Sequence, residues 1–276
     1  MNIDSVKYPI YTKNRLFDLL ALKFRFLPSK LNHLPLKCIV CNRVGLYKVK
    51  GNDLREDCTC KSCKSFNRQR QISYVMLTSV LNKKPLFNSL KNFISRNDLR
   101  VYYTESKGPI HDVLVKMKNY VYSEYFGEEY KSGDYVNGIL HQDLQKLSFA
   151  DDSFDVVISS EVFEHIPNTY QAFKEVHRVL KPGGRHIFTI PFDARGFKDT
   201  VKAVLDENGN IQYLSEPEFH KDPIREEGVL VYRIFSLEML IKLNEIGFIT
   251  NLHHLYNPLL GIVGNNAIVF ESIKEL

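Results

Sequence analysis

The stretch HQDLQKLSFADDSFDVVISSEVFEHIP, residues 141–167, decides how the chain folds. Inside it Asp155-Val156-Val157-Ile158-Ser159 is a β-branched apolar run that follows the turn cluster Ala150-Asp151-Asp152-Ser153 and reads as a short, fully buried strand. Glu161-Val162-Phe163-Glu164-His165-Ile166-Pro167 closes that strand and leads through Asn168-Thr169 into a helix. Working outward, Asp143 follows the segment Gly138-Ile139-Leu140-His141, and Glu124 follows Tyr120-Val121-Tyr122. Ligands of open α/β sheets bind in the crevice outside the carboxyl ends of the strands. Three successive strand ends that each deliver an acid therefore mark a candidate site, against the ordinary alternative of solvated loop carboxylates.

The surrounding pattern alternates strands and helices, as a parallel sheet covered on both faces requires. Strands are expected near residues 99–103, 120–124, 138–142, 155–159 and 184–190, with helices near 110–118 and 169–181. After Pro191 the pattern dissolves until about Phe235, and a segment that long suits a lid or an acceptor-binding insertion better than a plain connector. Ser236 then reads as the N-cap of a helix over residues 237–246 that Gly247 stops. Strands near 248–255 and 267–273 would close the sheet as an antiparallel hairpin.

The ordered series DL, LSFADDSFDVV, EVFEHI, EVHRVLKPGG and IFTIP resembles the class I S-adenosylmethionine-dependent methyltransferases, specifically those of the type 11 kind. The likeness runs from about Leu99 to the C-terminus and implies a Rossmann-like, mostly parallel α/β sheet. It further implies that Glu124 accepts the ribose hydroxyls of S-adenosylmethionine, that Asp143 and Leu144 meet the adenine, and that Glu161 lines the same cleft. The family's first loop carries an acid and a Gly-x-Gly run. Here the segment Thr104-Glu105-Ser106-Lys107-Gly108 keeps one acid, Glu105, and one glycine, Gly108, as a variant of that loop. A hydroxyl acceptor would also want a base, for which His165, Asp193 and His220 are the catalytic candidates, with Asp222 beside the last.

The amino-terminal part has a different character. Residues 1–100 hold 20 Lys and Arg against 6 Asp and Glu, a formal charge of +14, whereas residues 101–276 carry −9. Such an asymmetry suits an anionic partner for the first part or a merely solvated basic surface. All five cysteines lie between positions 38 and 63. Cys38-Ile39-Val40-Cys41 and Cys60-Lys61-Ser62-Cys63 are paired knuckles whose four thiolates can close a tetrahedron around a structural Zn²⁺, in the manner of a small zinc ribbon. Cys58 is the spare. Four regions follow: a basic amphipathic segment (1–37), the zinc-ribbon-like module (38–70), a connecting helix and linker (71–98) and the methyltransferase domain (99–276) with its insertion at 192–235.

No run of apolar residues approaches the ~20 needed to cross a bilayer, so a cytoplasmic enzyme is expected, with peripheral membrane contact open through the apolar and basic run at residues 16–27. The expected acceptor is a small molecule, a saccharide or a cell-envelope intermediate. Two alternatives stand beside it: an RNA methyltransferase whose basic zinc module grips phosphates, and a methyltransferase-like binding protein without catalysis, which the altered first loop would suit. The oligomeric state leaves no mark in the sequence.

Overall fold

The computed structural model describes residues 33–48, 58–220, 228–263 and 268–276. The expected amphipathic run at 16–27, and Asp222, lie outside the described residues. The described residues divide into two compact units, one drawn from within 1–99, 107–120 and 251–271, the other from within 100–106, 121–250 and 272–276.

The first unit opens with a three-stranded antiparallel sheet, β1 (His33–Lys37), β2 (Val44–Lys48) and β3 (Thr59–Cys60). Helix α1 (Asn67–Val75) follows and continues as a π-helical turn over Met76–Val80, so the helix expected from residue 71 begins four residues earlier. Arg70 on α1 is fully buried among carbonyl oxygens.

The expected mixed α/β architecture is present. Strands β4 (Val101–Tyr103), β5 (Tyr120–Tyr122), β8 (Phe154–Ser160), β9 (Leu180–Thr189), β16 (Phe248–His254) and β17 (Ile268–Lys274) form one six-stranded sheet in the order β16-β17-β9-β8-β4-β5. β4, β8 and β9 run parallel, with Val101 opposite Val156 and Ile158 opposite Ile187. Between β4 and β9, β8 has both faces covered, which explains its uninterrupted apolar run. Helix α2 (His111–Leu114) is a single turn.

Helix α3 (Thr169–Val179) buries Thr169, Ala172, Phe173, Val176 and Val179, the spacing of one helical face, and Asn168 caps it by accepting from the Gln171 N–H. Its Phe173 stacks on Phe163, with ring centroids 4.1 Å apart, and His186 stacks on Phe188 at 4.4 Å. The series of motifs is held together by named bonds. Lys181 of the LKPGG segment pairs with Asp155 of SFDVV at 2.8 Å, while Arg178 of EVHRV donates to the carbonyls of Leu147 and Phe149 in LSFADD. Leu180, read from sequence as part of a helix end, instead begins β9.

Two expectations are corrected. The expected third strand, 138–142, does not join the large sheet as a strand. Instead β7 (Ile139–Leu140) folds back on β6 (Tyr135–Val136), with Asn137 (φ 51°) and Gly138 (φ 79°) both left-handed at the turn. An Asn-Gly pair favours that hairpin geometry. Only a single parallel bridge, Glu124 with His141, keeps the third position of the sheet. Nor is the segment after Pro191 patternless. It holds three short antiparallel pairs: β10 (Thr200–Val201) with β15 (Arg233–Ile234), β11 (Ala203–Leu205) with β12 (Ile211–Tyr213), and β13 (Phe219–His220) with β14 (Val229–Leu230). Helix α4 (Leu237–Ile246) ends at Gly247 in the left-handed region as expected, although Ser236 at its N-cap makes no side-chain cap.

Candidate functional site

The sheet changes direction between β4 and β8. From β4 the next strand of the large sheet lies on one side, and from β8 the chain proceeds to β9 on the other. A crevice opens at the carboxyl ends of the strands at such a switch point, and the loops that leave β4, β5 and β8 there carry Glu105, Glu124 and Glu161. All three are half-buried.

Backbone bonds carry the sheet one residue beyond its strands. Thr104 donates to the Ile158 carbonyl, Ser123 to that of Tyr103, and Gln142 to that of Glu124. Glu124 Oε1 accepts from both the backbone N–H and the hydroxyl of Ser106, each at 2.8 Å. The second-strand acid therefore holds the first loop directly. Asp143, also half-buried, takes the Gln145 N–H on Oδ1 at 2.8 Å and donates its own N–H to Ser132, with buried Leu144 beside it. Glu161 donates its N–H to the Thr189 carbonyl and sits at φ 55°. A left-handed glutamate costs about 1–2 kcal/mol relative to ordinary backbone, and strain of this kind collects at functional sites. Gly108 belongs to the first unit, where it has φ 97° and its carbonyl accepts from Asp112 as α2 begins.

A second cluster was only partly legible in sequence. His165 and His220, separated by 55 positions, both face the carboxylate of Glu164, which sequence reasoning passed over. Glu164 Oε1 lies 3.6 Å from His165 Nε2 and 3.8 Å from His220 Nδ1. The Glu164 side chain is wholly buried, and burial pushes its carboxyl above the usual range, while the same carboxylate raises His220. His165 donates from Nδ1 to the Leu230 carbonyl at 2.8 Å. Asp193 is separately engaged. Arg195 donates to it from its backbone and its guanidinium, which holds its carboxyl below the usual value. Also missed was His141, fully buried, with Nδ1 accepting from the Phe126 N–H and the rings of Tyr125 and Tyr130 within 6 Å.

In the first unit the four expected cysteines come together. The sulfurs of Cys38, Cys41, Cys60 and Cys63 lie within 4.8 Å of one another, and those of Cys38 and Cys63 are 3.7 Å apart. Four sulfurs each 2.3 Å from a tetrahedral Zn²⁺ would be about 3.8 Å apart, so the set fits that ion. The two knuckles are alike in backbone: Asn42 donates to the Cys38 carbonyl and Lys64 to that of Cys60, both from left-handed conformations. Burial raises the Cys41 thiol to about 11, and the neighbouring thiols of Cys38 and Cys60 raise Cys63. Cys58 stands outside the set. Its residue is left-handed at φ 60°, and its carbonyl accepts from Arg70.

Comparisons with known proteins bear on the second unit. Residues 116–188 match the family model described as a methyltransferase domain. A sarcosine/dimethylglycine N-methyltransferase of Halorhodospira halochloris is 26% identical over 95 residues, covering 34% of each chain. The sterol 4-C-methyltransferase strm-1 of Caenorhabditis elegans is 45% identical over 49 residues, 18% of this chain and 15% of that one. The chain thus spans a third or less of the length of these curated relatives. Among solved structures, an S-adenosylmethionine-dependent methyltransferase from Mesorhizobium loti superposes with a TM-score of 0.40 at 18% identity, covering 64% of this chain and 91% of that one. Residues 116–188 thus match a methyltransferase domain, in keeping with the resemblance of the ordered motifs.

Proposed function

We propose that the protein transfers the methyl group of S-adenosylmethionine to a small-molecule, saccharide or cell-envelope acceptor. The observation that carries this reading is the set of acids at the sheet's switch point, with Glu124 bonded to the first loop and Glu161 held in a strained backbone at the end of β8. Glu124 would hold the ribose, Asp143 and Leu144 the adenine, and Glu105 the amino-acid tail. When bound, S-adenosylmethionine supplies an already activated sulfonium, so placement of the acceptor does much of the work. Removal of a proton from a hydroxyl acceptor falls to the cluster of His165 and His220, with Asp193 the further candidate on the segment after β9. The cysteine set would hold a structural zinc ion that contributes folding energy to the first unit. Among the described residues no helix is long and apolar enough to cross a membrane.

Calorimetric titration of S-adenosylmethionine into the full chain tests this, beside the Glu124→Ala variant. Binding by the parent chain, with affinity weakened at least ~10-fold in the variant, is expected, because the variant loses both the ribose acceptor and the bonds to Ser106. Absence of binding by the parent chain at saturating ligand would favour a methyltransferase-like protein that binds something else, and undiminished affinity in the variant would remove the ribose role from Glu124.

A further inference from the structure

Three candidate ligand atoms, Glu164 Oε1, His165 Nε2 and His220 Nδ1, come together in the second unit. The Glu164 carboxylate is wholly buried, and among the described residues neither of its oxygens has a hydrogen-bond partner. A buried carboxylate without a donor costs several kcal/mol unless something positive meets it. The two imidazoles lie 3.6 and 3.8 Å from Oε1, outside hydrogen-bond reach.

Each imidazole is already oriented by its other nitrogen. The Leu230 carbonyl can only accept, so His165 carries its proton on Nδ1, and in the neutral ring Nε2 turns a lone pair toward Glu164. His220 Nε2 lies 3.2 Å from Glu218 Oε1, and Glu218 is itself paired with Lys202 at 2.6 Å. A proton on His220 Nε2 leaves the Nδ1 lone pair facing Glu164. A backbone carbonyl behind one ring and a carboxylate behind the other are the partners that fix metal-ligating histidines. The three ligand atoms lie within 4.8 Å of one another. Around a cation with bonds of about 2.1 Å, tetrahedral ligands sit about 3.4 Å apart, so the two spacings to Glu164 Oε1 lie within a few tenths of an ångström of that value.

We infer that Glu164 Oε1, His165 Nε2 and His220 Nδ1 form a binding site for one divalent first-row transition cation, separate from the cysteine set. Two imidazoles and one carboxylate suit zinc, manganese, iron or cobalt, and three protein ligands leave coordination positions for water or an oxygen-bearing ligand. The assignment does not depend on methyl transfer, since binding is read directly.

The test titrates Mn²⁺ into the purified full chain and follows free Mn²⁺ by electron paramagnetic resonance. Mn²⁺ disfavours thiolates, which keeps the cysteine set from obscuring the result. One Mn²⁺ per chain is expected, with affinity lowered at least ~10-fold in Glu164→Gln and in His220→Ala, and in Glu218→Ala by about 10-fold through loss of ring orientation. Co²⁺ added to zinc-loaded protein should give weak visible bands without sulfur charge transfer. Glu164→Gln is near-isosteric, and its thermal unfolding without added metal, unchanged or raised, would show that it folds. No binding of Mn²⁺ or Co²⁺ at millimolar concentration by the parent chain would overturn the inference, as would equal binding by folded Glu164→Gln.

Discussion

Arg70→Met tests whether the cysteine module is anchored by a buried guanidinium. Arg70 has no exposed surface, and its guanidinium makes four hydrogen bonds to three backbone carbonyls: Nη1 to Ser65 at 2.6 Å, Nη2 to Cys58 at 2.7 Å, and Nη2 and Nε to Gly261 at 2.8 and 3.1 Å. Two of those carbonyls border the second knuckle, and the third lies 191 positions away in sequence. Methionine keeps much of the volume and donates nothing, so the carbonyls of Cys58 and Gly261 lose these donors and that of Ser65 keeps only the Cys60 N–H, at about 1–3 kcal/mol each. Removing the charge also removes its own desolvation cost, which places the net loss near the low end, about 3–5 kcal/mol. Arg70→Lys keeps the charge but not the fork and should lose about half as much. Gly261→Ala approaches the same contact from the other side. A Cβ there would stand 2.9 Å from Arg70 Nε, at a residue with φ 68°. Urea unfolding measures the loss, and the rate at which a chelator extracts metal from the cysteines should rise in parallel. The two substitutions share one contact, so their combined effect should fall short of the sum. A midpoint for Arg70→Met within about 0.5 kcal/mol of the parent, the range of an ordinary surface change, would refute the anchoring role.

Two further perturbations probe the second unit. His186 is wholly buried, bonds Ser159 Oγ at 2.9 Å, and is held by burial down to about 3. The unfolded chain takes up this proton below about pH 6.5 while the folded one does not until near pH 3. Stability is therefore full above pH 6.5 and falls by up to about 1.4 kcal/mol per pH unit below it. His186→Phe should flatten that acid limb in urea midpoints taken from pH 7.5 to 4.5, and parallel curves for the two proteins would contradict the assignment. Gly247 stops α4 at φ 105°, and a Cβ there would meet His177 Nε2 at 2.9 Å. Gly247→Ala should cost about 1–2 kcal/mol from the left-handed backbone alone, seen as a lower thermal midpoint that His177→Ala restores only in part. Full restoration would mean that the imidazole clash, not the backbone, dominates.

Much of the fold is legible because its signals are local and repeated. Residues 156–158 are apolar and buried on both faces of β8, a central parallel strand of the sheet, and α3 shows its buried face at helical spacing. Failures occurred where pairing partners, not composition, decide the outcome. Ile139 and Leu140 are as β-prone as any strand residue, yet the left-handed Asn137-Gly138 turn folds them onto Tyr135 and Val136 before they can extend the sheet. That Asn-Gly pair was the available signal. Strands of two or three residues, such as β10 to β15, span little more than one period of the strand alternation, too short to show a repeating pattern. In β11 and β12, which pair antiparallel, the turn between them rests on Asp206 accepting from the N–H groups of Asn208 and Asn210 and on left-handed Gly209. Here too an Asn-Gly pair, Asn208-Gly209, stood in the sequence.

The site divides along the same line. Acids at strand ends follow from topology, so Glu124 and Glu161 could be named once the strands were named. Glu164 could not, because its meaning lies in what it lacks. In sequence it is a loop glutamate next to a histidine, and loop glutamates are ordinarily solvated. Its burial comes from the segment between β9 and α4, where Tyr232 donates its N–H to the Glu164 carbonyl and the β13 and β14 pair carries His220 and Leu230 to opposite sides of the cluster. The insertion that looked patternless is thus what converts a surface carboxylate into an unpaired buried one. It also supplies one imidazole and the carbonyl that orients the other. On the inferred cation site, an insertion that supplies one ligand and orients another belongs to the site, which is compatible with its reading as a lid or acceptor-binding segment.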